Sequence, residues 1–237
     1  MWRSRVVEEW SYSKAGVDLG KHRSMHRRAL DLMIELANKL GVETGGLGGY
    51  SSWIRYGNYK LFLHVDGVGT KTLIAEKYGE YSVIGWDCIA MNVNDMICEG
   101  VKPLAFMDYI AMPRSDDRVF HDIIKGMYDA ALQVRAPIIG GETAILPDLA
   151  NGVDAVCFAI GVQEQPFNNT AKTYDVAIGL ASNGIHANGY TLVRKILENT
   201  LGGYPETYKG INLREELVKP TRMYHDFVFQ ALPGVLE

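Results

Sequence analysis

Long apolar runs, paired cysteines and a basic stripe are all missing from this chain, and each absence removes a class of protein. The longest uninterrupted apolar run, Ala155 to Ile160, ends at Gly161, far short of the ~20 residues of a membrane-spanning helix. No membrane partner is expected. The N-terminal MWRSRVVEEW holds Arg3 and Arg5 but runs into Glu8 and Glu9 with no apolar stretch behind them. It does not read as a secretory signal, so a cytoplasmic protein is expected. Cys88, Cys98 and Cys157 are odd in number, lack CxxC spacing and lie among apolar residues, which suits buried thiols in a reducing compartment better than disulfides or zinc.

The charge balance excludes more. With 24 Lys+Arg against 28 Asp+Glu the net charge is −4, and no concentrated basic stripe marks a duplex nucleic-acid binder. The basic residues gather near the start: residues 1–40 are net +3, leaving −7 for the rest. Lys21, His22, Arg23, His26, Arg27 and Arg28 form that concentration, readable as the solvated face of a helix or as an arm that meets an anionic ligand. The common nucleotide signatures are absent too. The glycines before Lys71 stand at the wrong offsets for GxxxxGK[ST], and no strand-linked GxGxxG is followed by an acid about 20 residues on.

What is present is a 237-residue chain, 47% hydrophobic and 22% charged, with ample material for a core and enough length for one large domain or one complete and one curtailed domain. Leu30, Ile34 and Ala37 predict a helix over 24–40, stopped by Gly41. Gly45, Gly46, Gly48 and Gly49, in GGLGGY, predict a mobile loop or tight turn. KLFLHV (60–65) reads as a strand ending in Asp66-Gly67-Val68-Gly69-Thr70-Lys71. A helix over 82–99 follows, with Ser82 as N-cap and Gly100 as stop. Then come a strand (104–111), a helix (117–135), a short strand (137–139) running into Gly140-Gly141-Glu142-Thr143, and a buried strand (153–162). Strands interleaved with helices to residue 163 predict one α+β or α/β domain. The polar stretch 163–174 reads as a linker. Beyond it a second domain opens with a strand (175–181), the loop 182–189 and a helix (190–199), and ends in a helix near 213–231.

Five carboxylates stand where a core would prefer apolar side chains: Asp66, Asp87, Asp95, Asp108 and Glu142. Asp66, Asp108 and Glu142 lie at or just past β-prone runs, where open sheets present ligand sites. Asp87, Met91, Asn94 and Asp95 share one helix face, with Asp87 and Asp95 about 12 Å apart along the axis. Carboxylates gathered in a partly buried site repel, and a cation or a shared proton relieves this. Magnesium suits the first case, because it leaves coordination positions for phosphate oxygens, and Lys71 can add positive charge. Scattered caps and surface acids are the plain alternative. His186, in a polar loop before a predicted helix, can join Ser182, Asn183 and Asn188 in holding a phosphate at the helix N-terminus, or can simply cap it.

Taken together, SYSKAGVD (11–18), GGLGGY (45–50), DGVGTK (66–71), GWDCIAMNVNDM (85–96), LAFMDYIA (104–111), GGETA (140–144), SNGIHANGYTLVRKIL (182–197) and KPTRMY (219–224) resemble the phosphoribosylformylglycinamidine cyclo-ligase family. Its wider superfamily includes selenophosphate synthetase and thiamine-monophosphate kinase. The resemblance implies a two-domain α+β fold: residues 1–163 bind ATP and dimerise, and 175–237 begin a substrate-binding domain that this chain leaves incomplete. It implies a homodimer whose N-terminal sheets pair into a barrel. It implies ATP and Mg²⁺, with Asp66, Asp87, Asp95, Asp108 and Glu142 toward the metal and Gly67, Gly69, Thr70, Lys71, Asp87, Asn94, Gly140, Gly141 and Thr143 toward ATP. Ser182, Asn183, His186 and Asn188 would face the substrate, formylglycinamidine ribonucleotide, with His186, Lys71 and Asp66 as catalytic groups. Another ATP-dependent synthetase or kinase of the superfamily, or a non-catalytic nucleotide-binding module, is the alternative.

Overall fold

The computed structural model describes residues 10–163 and 170–235. The first element, α1 (Leu19–Leu40), begins five residues before the predicted start because Asp18, in extended conformation, accepts hydrogen bonds from the backbone N–H groups of Gly20 and Lys21, both at 3.0 Å. That is the arrangement of an N-cap. Gly41 closes the helix at φ 65°. No residue of α1 is buried, and its basic cluster lies on a solvent-facing surface.

A hairpin follows from β1 (Thr44–Gly45), β2 (Ser52–Tyr56) and β3 (Tyr59–Gly67). The glycine-rich segment forms a turn in which Gly49 N–H donates to the Gly46 carbonyl at 2.9 Å. Gly45 lies flat on Trp53; a Cβ there would come within 2.4 Å of the indole. Next are α2 (Lys71–Tyr78), which the sequence reading did not separate, α3 (Ser82–Ile97), β4 (Val101–Met112), α4 (Asp117–Val134), β5 (Ile138–Ile145) and β6 (Asp154–Gln163). Tyr81 takes the cap position of α3, with no side-chain cap bond, and Ser82 is already helical. Gly140 to Thr143 are part of β5 and do not form a loop after it.

One mixed sheet, in the order β1-β2-β3-β6-β4-β5, is antiparallel throughout except between β4 and β5. Strand alternation sorts its two faces. Ala155, Cys157 and Ala159 of β6 and Phe106 and Ile110 of β4 point into the core against α3 and α4, all under a tenth exposed. The two helices cross at glycines: a Cβ on Gly85 would stand 1.8 Å from the Ile123 carbonyl oxygen, and one on Gly126 would stand 1.8 Å from that of Ser82.

The C-terminal part contains α5 (Tyr190–Leu201), a two-residue ladder of β7 (Thr207–Tyr208) with β8 (Ile211–Asn212), α6 (Leu213–Leu217) and α7 (His225–Val235). Two expectations are corrected here. The helix predicted near 213–231 is split, because Pro220 lacks an N–H and disfavours helical geometry in the residue before it. The strand predicted over 175–181 does not form: an extended segment needs a partner for its hydrogen bonds, and among the described residues none runs beside it. Val176 and Ile178 are both 87% exposed. Cys98 is exposed as well, whereas Cys88 and Cys157 are buried as expected.

Residues 218–224 form a strap laid along α3. Trp86 Nε1 donates to the Thr221 carbonyl at 2.8 Å, and Asn94 Nδ2 donates to the Arg222 carbonyl at 2.8 Å while its Oδ1 accepts from Tyr224 N–H at 3.1 Å. The strap carries the C-terminal residues onto the same helix that carries Asp87 and Asp95.

Candidate functional site

Strand β3 sets the site through its period of two. Phe62, His64 and Asp66 share its inward face; Phe62 enters the core, and the two polar residues meet the last turns of α3. His64 Nε2 lies 3.2 Å from Asp95 Oδ2. One ligand atom from each of His64, Asp66 and Asp95 lies within 4.8 Å of the others. Burial raises the Asp66 carboxyl above its usual range and the nearby Asp95 charge adds to this, against the opposing pull of the Gly67 N–H and His64. The sequence reading missed His64. Its signal was available, two residues before Asp66 in a strand where alternate residues face the same way.

Above these groups opens a cleft of about 630 Å³ whose walls include Asp66, Asn94, Asp95, His186, Asn188 and Tyr224. Loop 182–189 supplies the far wall. Left-handed backbone at Gly184 (φ 75°), His186 (φ 66°) and Gly189 (φ 84°) folds it tightly. His186 Nε2 accepts the Asn183 N–H at 3.1 Å and lies 3.4 Å from the Tyr224 hydroxyl. An accepting Nε2 carries no proton, so the ring is neutral with its proton on Nδ1. Burial, first, and the Lys71 charge hold the imidazole below its ordinary range, against the attraction of Asp87. Ser182 and Asn183 act within the loop: Ser182 Oγ donates to the Gly184 carbonyl at 3.1 Å, and Asn183 Nδ2 donates to that of Pro220 at 2.9 Å.

Lys71 and Asp87 lie beneath the cleft and do not line it. They are 1% and 0% exposed at the side chain, with Lys71 Nζ 2.6 Å from Asp87 Oδ2. The ammonium also donates to the Lys219 carbonyl at 2.5 Å, and Asp87 Oδ1 accepts the Thr221 N–H at 2.7 Å. Burial pushes the lysine down and the carboxyl up, and each opposes the other's shift. Both Asp87 oxygens and the ammonium are thus engaged in tying α2, α3 and the strap together. This departs from the expectation of a metal ligand and a phosphate-binding cation.

The remaining predicted residues fall into two places. Gly67, Gly69 and Thr70 make the turn from β3 into α2, Gly69 at φ 66°, and the Thr70 and Thr191 hydroxyls lie 2.9 Å apart. Asp108, Gly140, Gly141, Glu142 and Thr143 lie on β4 and β5, outside the cleft walls. A Cβ on Gly141 would meet the Asp108 carboxylate at 2.4 Å, so a side chain there needs that carboxylate to swing aside. The glycine turn reaches the cleft through Tyr50.

Residues 49–163 match the family model described as AIR synthase related protein, N-terminal domain. The phosphoribosylformylglycinamidine cyclo-ligase of Thermococcus kodakarensis is 43% identical over 236 residues, covering 95% of this chain and 69% of its own length. That of Pyrococcus furiosus matches at the same identity and coverage. Among solved structures, thiamine monophosphate kinase from Aquifex aeolicus superposes at TM-score 0.55 with 19% identity, over 86% of this chain and 64% of that one. At that identity the likeness is one of fold.

Proposed function

The chain belongs to the phosphoribosylformylglycinamidine cyclo-ligase family, and we propose that it carries out the ring closure of purine biosynthesis: formylglycinamidine ribonucleotide becomes aminoimidazole ribonucleotide as ATP becomes ADP and phosphate. The observation that carries this reading is the convergence of Asp66, Asn94 and Asp95 with His186 and Asn188 around one cleft, a carboxylate wall facing a neutral, hydrogen-bonding wall.

In this reading the γ-phosphoryl group of ATP passes to the formamide oxygen, an amidine-side nitrogen attacks the same carbon, the C–O bond breaks and phosphate leaves as the ring closes. Asp66 and Asp95 would hold Mg²⁺, whose fit rests on two carboxylates that share a partly buried site and repel each other without a cation. When bound, the ion would neutralise charge on the transferring phosphoryl group. Gly69 and Thr70 would present backbone N–H groups to phosphate oxygens at the start of α2, while the Gly67 N–H is held by Asp66 Oδ1. His186, with Nε2 occupied by Asn183, has Nδ1–H to donate to the substrate, and Asn188 stands beside it. Residues 1–163 would serve ATP binding and dimerisation and residues 175–237 substrate binding, in a cytoplasmic homodimer.

The test separates the two walls. His186→Ala is expected to leave ATP binding by calorimetry nearly unchanged and to lower aminoimidazole ribonucleotide formation by about two orders of magnitude, the scale of losing one positioned group. Asp66→Asn is expected to abolish magnesium-dependent ATP binding. Wild-type turnover in the His186 variant, or ATP affinity indifferent to magnesium, would overturn the assignment.

A further inference from the structure

A site for magnesium alone needs only oxygens, yet β3 delivers a nitrogen to this one. His64 Nε2 is shielded from solvent and makes no hydrogen bond in good geometry, although Asp95 Oδ2 lies 3.2 Å away. With one oxygen each from Asp66 and Asp95 it forms a group whose atoms are within 4.8 Å of one another. Ligands held at about 2.1 Å on opposite sides of an ion are about 4.2 Å apart, so small side-chain adjustments bring all three into one coordination sphere. The three residues also come from two elements of regular structure packed on a common core, β3 and α3, which hold their backbones in place.

We propose that His64, Asp66 and Asp95 form a mixed nitrogen–oxygen site that prefers a first-row transition dication, such as Co²⁺ or Mn²⁺, to Mg²⁺. This rests on the reading above that a cation is held between Asp66 and Asp95, and adds His64 as its third ligand. The chemistry follows from donor softness. Carboxylates serve magnesium and manganese well, while imidazole adds affinity in the order Mn²⁺ < Co²⁺ < Ni²⁺ and contributes little to a hard ion that keeps its water. The cleft beside the group leaves room for further ligands from water or a phosphate. The competing account is a plain His64–Asp95 ion pair with no imidazole–metal bond, in which any preference among metals comes from the two carboxylates and does not depend on His64.

Calorimetric titration with CoCl₂ and MgCl₂, and the visible absorption of bound Co²⁺, distinguish them. Wild-type protein is expected to bind Co²⁺ at least about tenfold more tightly than Mg²⁺. His64→Asn should lower Co²⁺ affinity by at least about tenfold, the scale at which even outer-shell partners of a metal count, shift the Co²⁺ absorption bands and leave Mg²⁺ affinity nearly unchanged. Should the variant misfold, a contact-shifted imidazole N–H resonance, far outside the ordinary proton range in the Co²⁺-loaded wild-type protein, provides the readout of direct ligation instead. Equal Co²⁺ affinity in wild type and His64→Asn, or the absence of a contact-shifted imidazole resonance in the Co²⁺-loaded protein, overturns the proposal. In that case Asp66→Asn and Asp95→Asn still decide the underlying reading: lost binding keeps the two-carboxylate site, and retained binding removes it.

Discussion

Lys71 shows how far a residue's chemistry can be read from sequence. Its place five residues after Asp66, on a glycine-rich turn, marks a cation near phosphates, and nothing in the local sequence says that its side chain turns inward. The partners that turn it, Asp87 and the Lys219 carbonyl, are 16 and 148 residues away. His186 was legible because its loop of Asn and Gly announces a tight polar turn, whereas His64 was hidden in a run that reads as ordinary strand. The buried pair gives a sharp prediction. Asp87→Asn keeps an acceptor for the Thr221 N–H but leaves an ammonium without a counter-charge, and Lys71→Met leaves a lone carboxylate. Each single change is expected to cost about 3–5 kcal/mol of stability. The double variant should cost less than the sum by about 1–3 kcal/mol, measured by urea unfolding in a double-mutant cycle. Additive losses would mean the pair is not formed and would return Lys71 to the phosphates.

At the scale of elements, periodicity located α3, α4 and the strands β3, β4 and β6, because those segments bury one face and their patterns are local, but it passed over α2 and ended β5 at Ile139. What failed was pairing and interruption. The run over 175–181 has a strand's composition but no neighbouring strand among the described residues, and composition carries no information about neighbours. Pro220 marks the break between α6 and α7 in plain sight, yet the apolar residues on both sides suggested one helix. The crossing of α3 and α4 was equally out of reach, since Gly85 and Gly126 look like weak points in their helices until the two backbones are seen to touch. Their role predicts a strong asymmetry. Alanine raises helix propensity by about 1 kcal/mol over glycine in an exposed helix, but at either crossing position its methyl group would overlap a carbonyl of the other helix. Gly85→Ala and Gly126→Ala are therefore each expected to destabilise by at least about 1–3 kcal/mol, as overpacked cores do. Gly79→Ala serves as a reference: it meets nothing within 4 Å but sits at φ 69°, so it reports backbone strain without overlap. Chemical denaturation that finds Gly85→Ala neutral would mean the helices do not cross in contact.

The whole molecule presents a sheet with one face covered and the other open. On the open face Val65, Phe158 and Met107 stand in a row across β3, β6 and β4, joined by the strand register, and are 52%, 47% and 48% exposed. Leu63 and Leu104 extend the patch. Antiparallel sheets often turn one polar face to water, but here the outward positions are apolar, and contiguous apolar surface of this kind marks an interface. A second copy of the same chain is the partner that the resemblance to the family suggests, because two such faces related by a two-fold axis cover each other with the same residues. Light scattering is expected to give twice the 26.4 kDa chain mass at micromolar concentration. Phe158→Lys, placed at the centre of the row and half exposed in the single chain, should fold normally by circular dichroism and shift the protein to monomer, because two buried ammonium groups would face each other across the axis. A wild-type monomer removes the dimer, and a dimer that survives Phe158→Lys moves the interface to another surface. The exposed apolar side of α1, where Leu32, Leu36 and Leu40 each remain more than half exposed, is the first place to look, with Leu36→Lys as the matching variant.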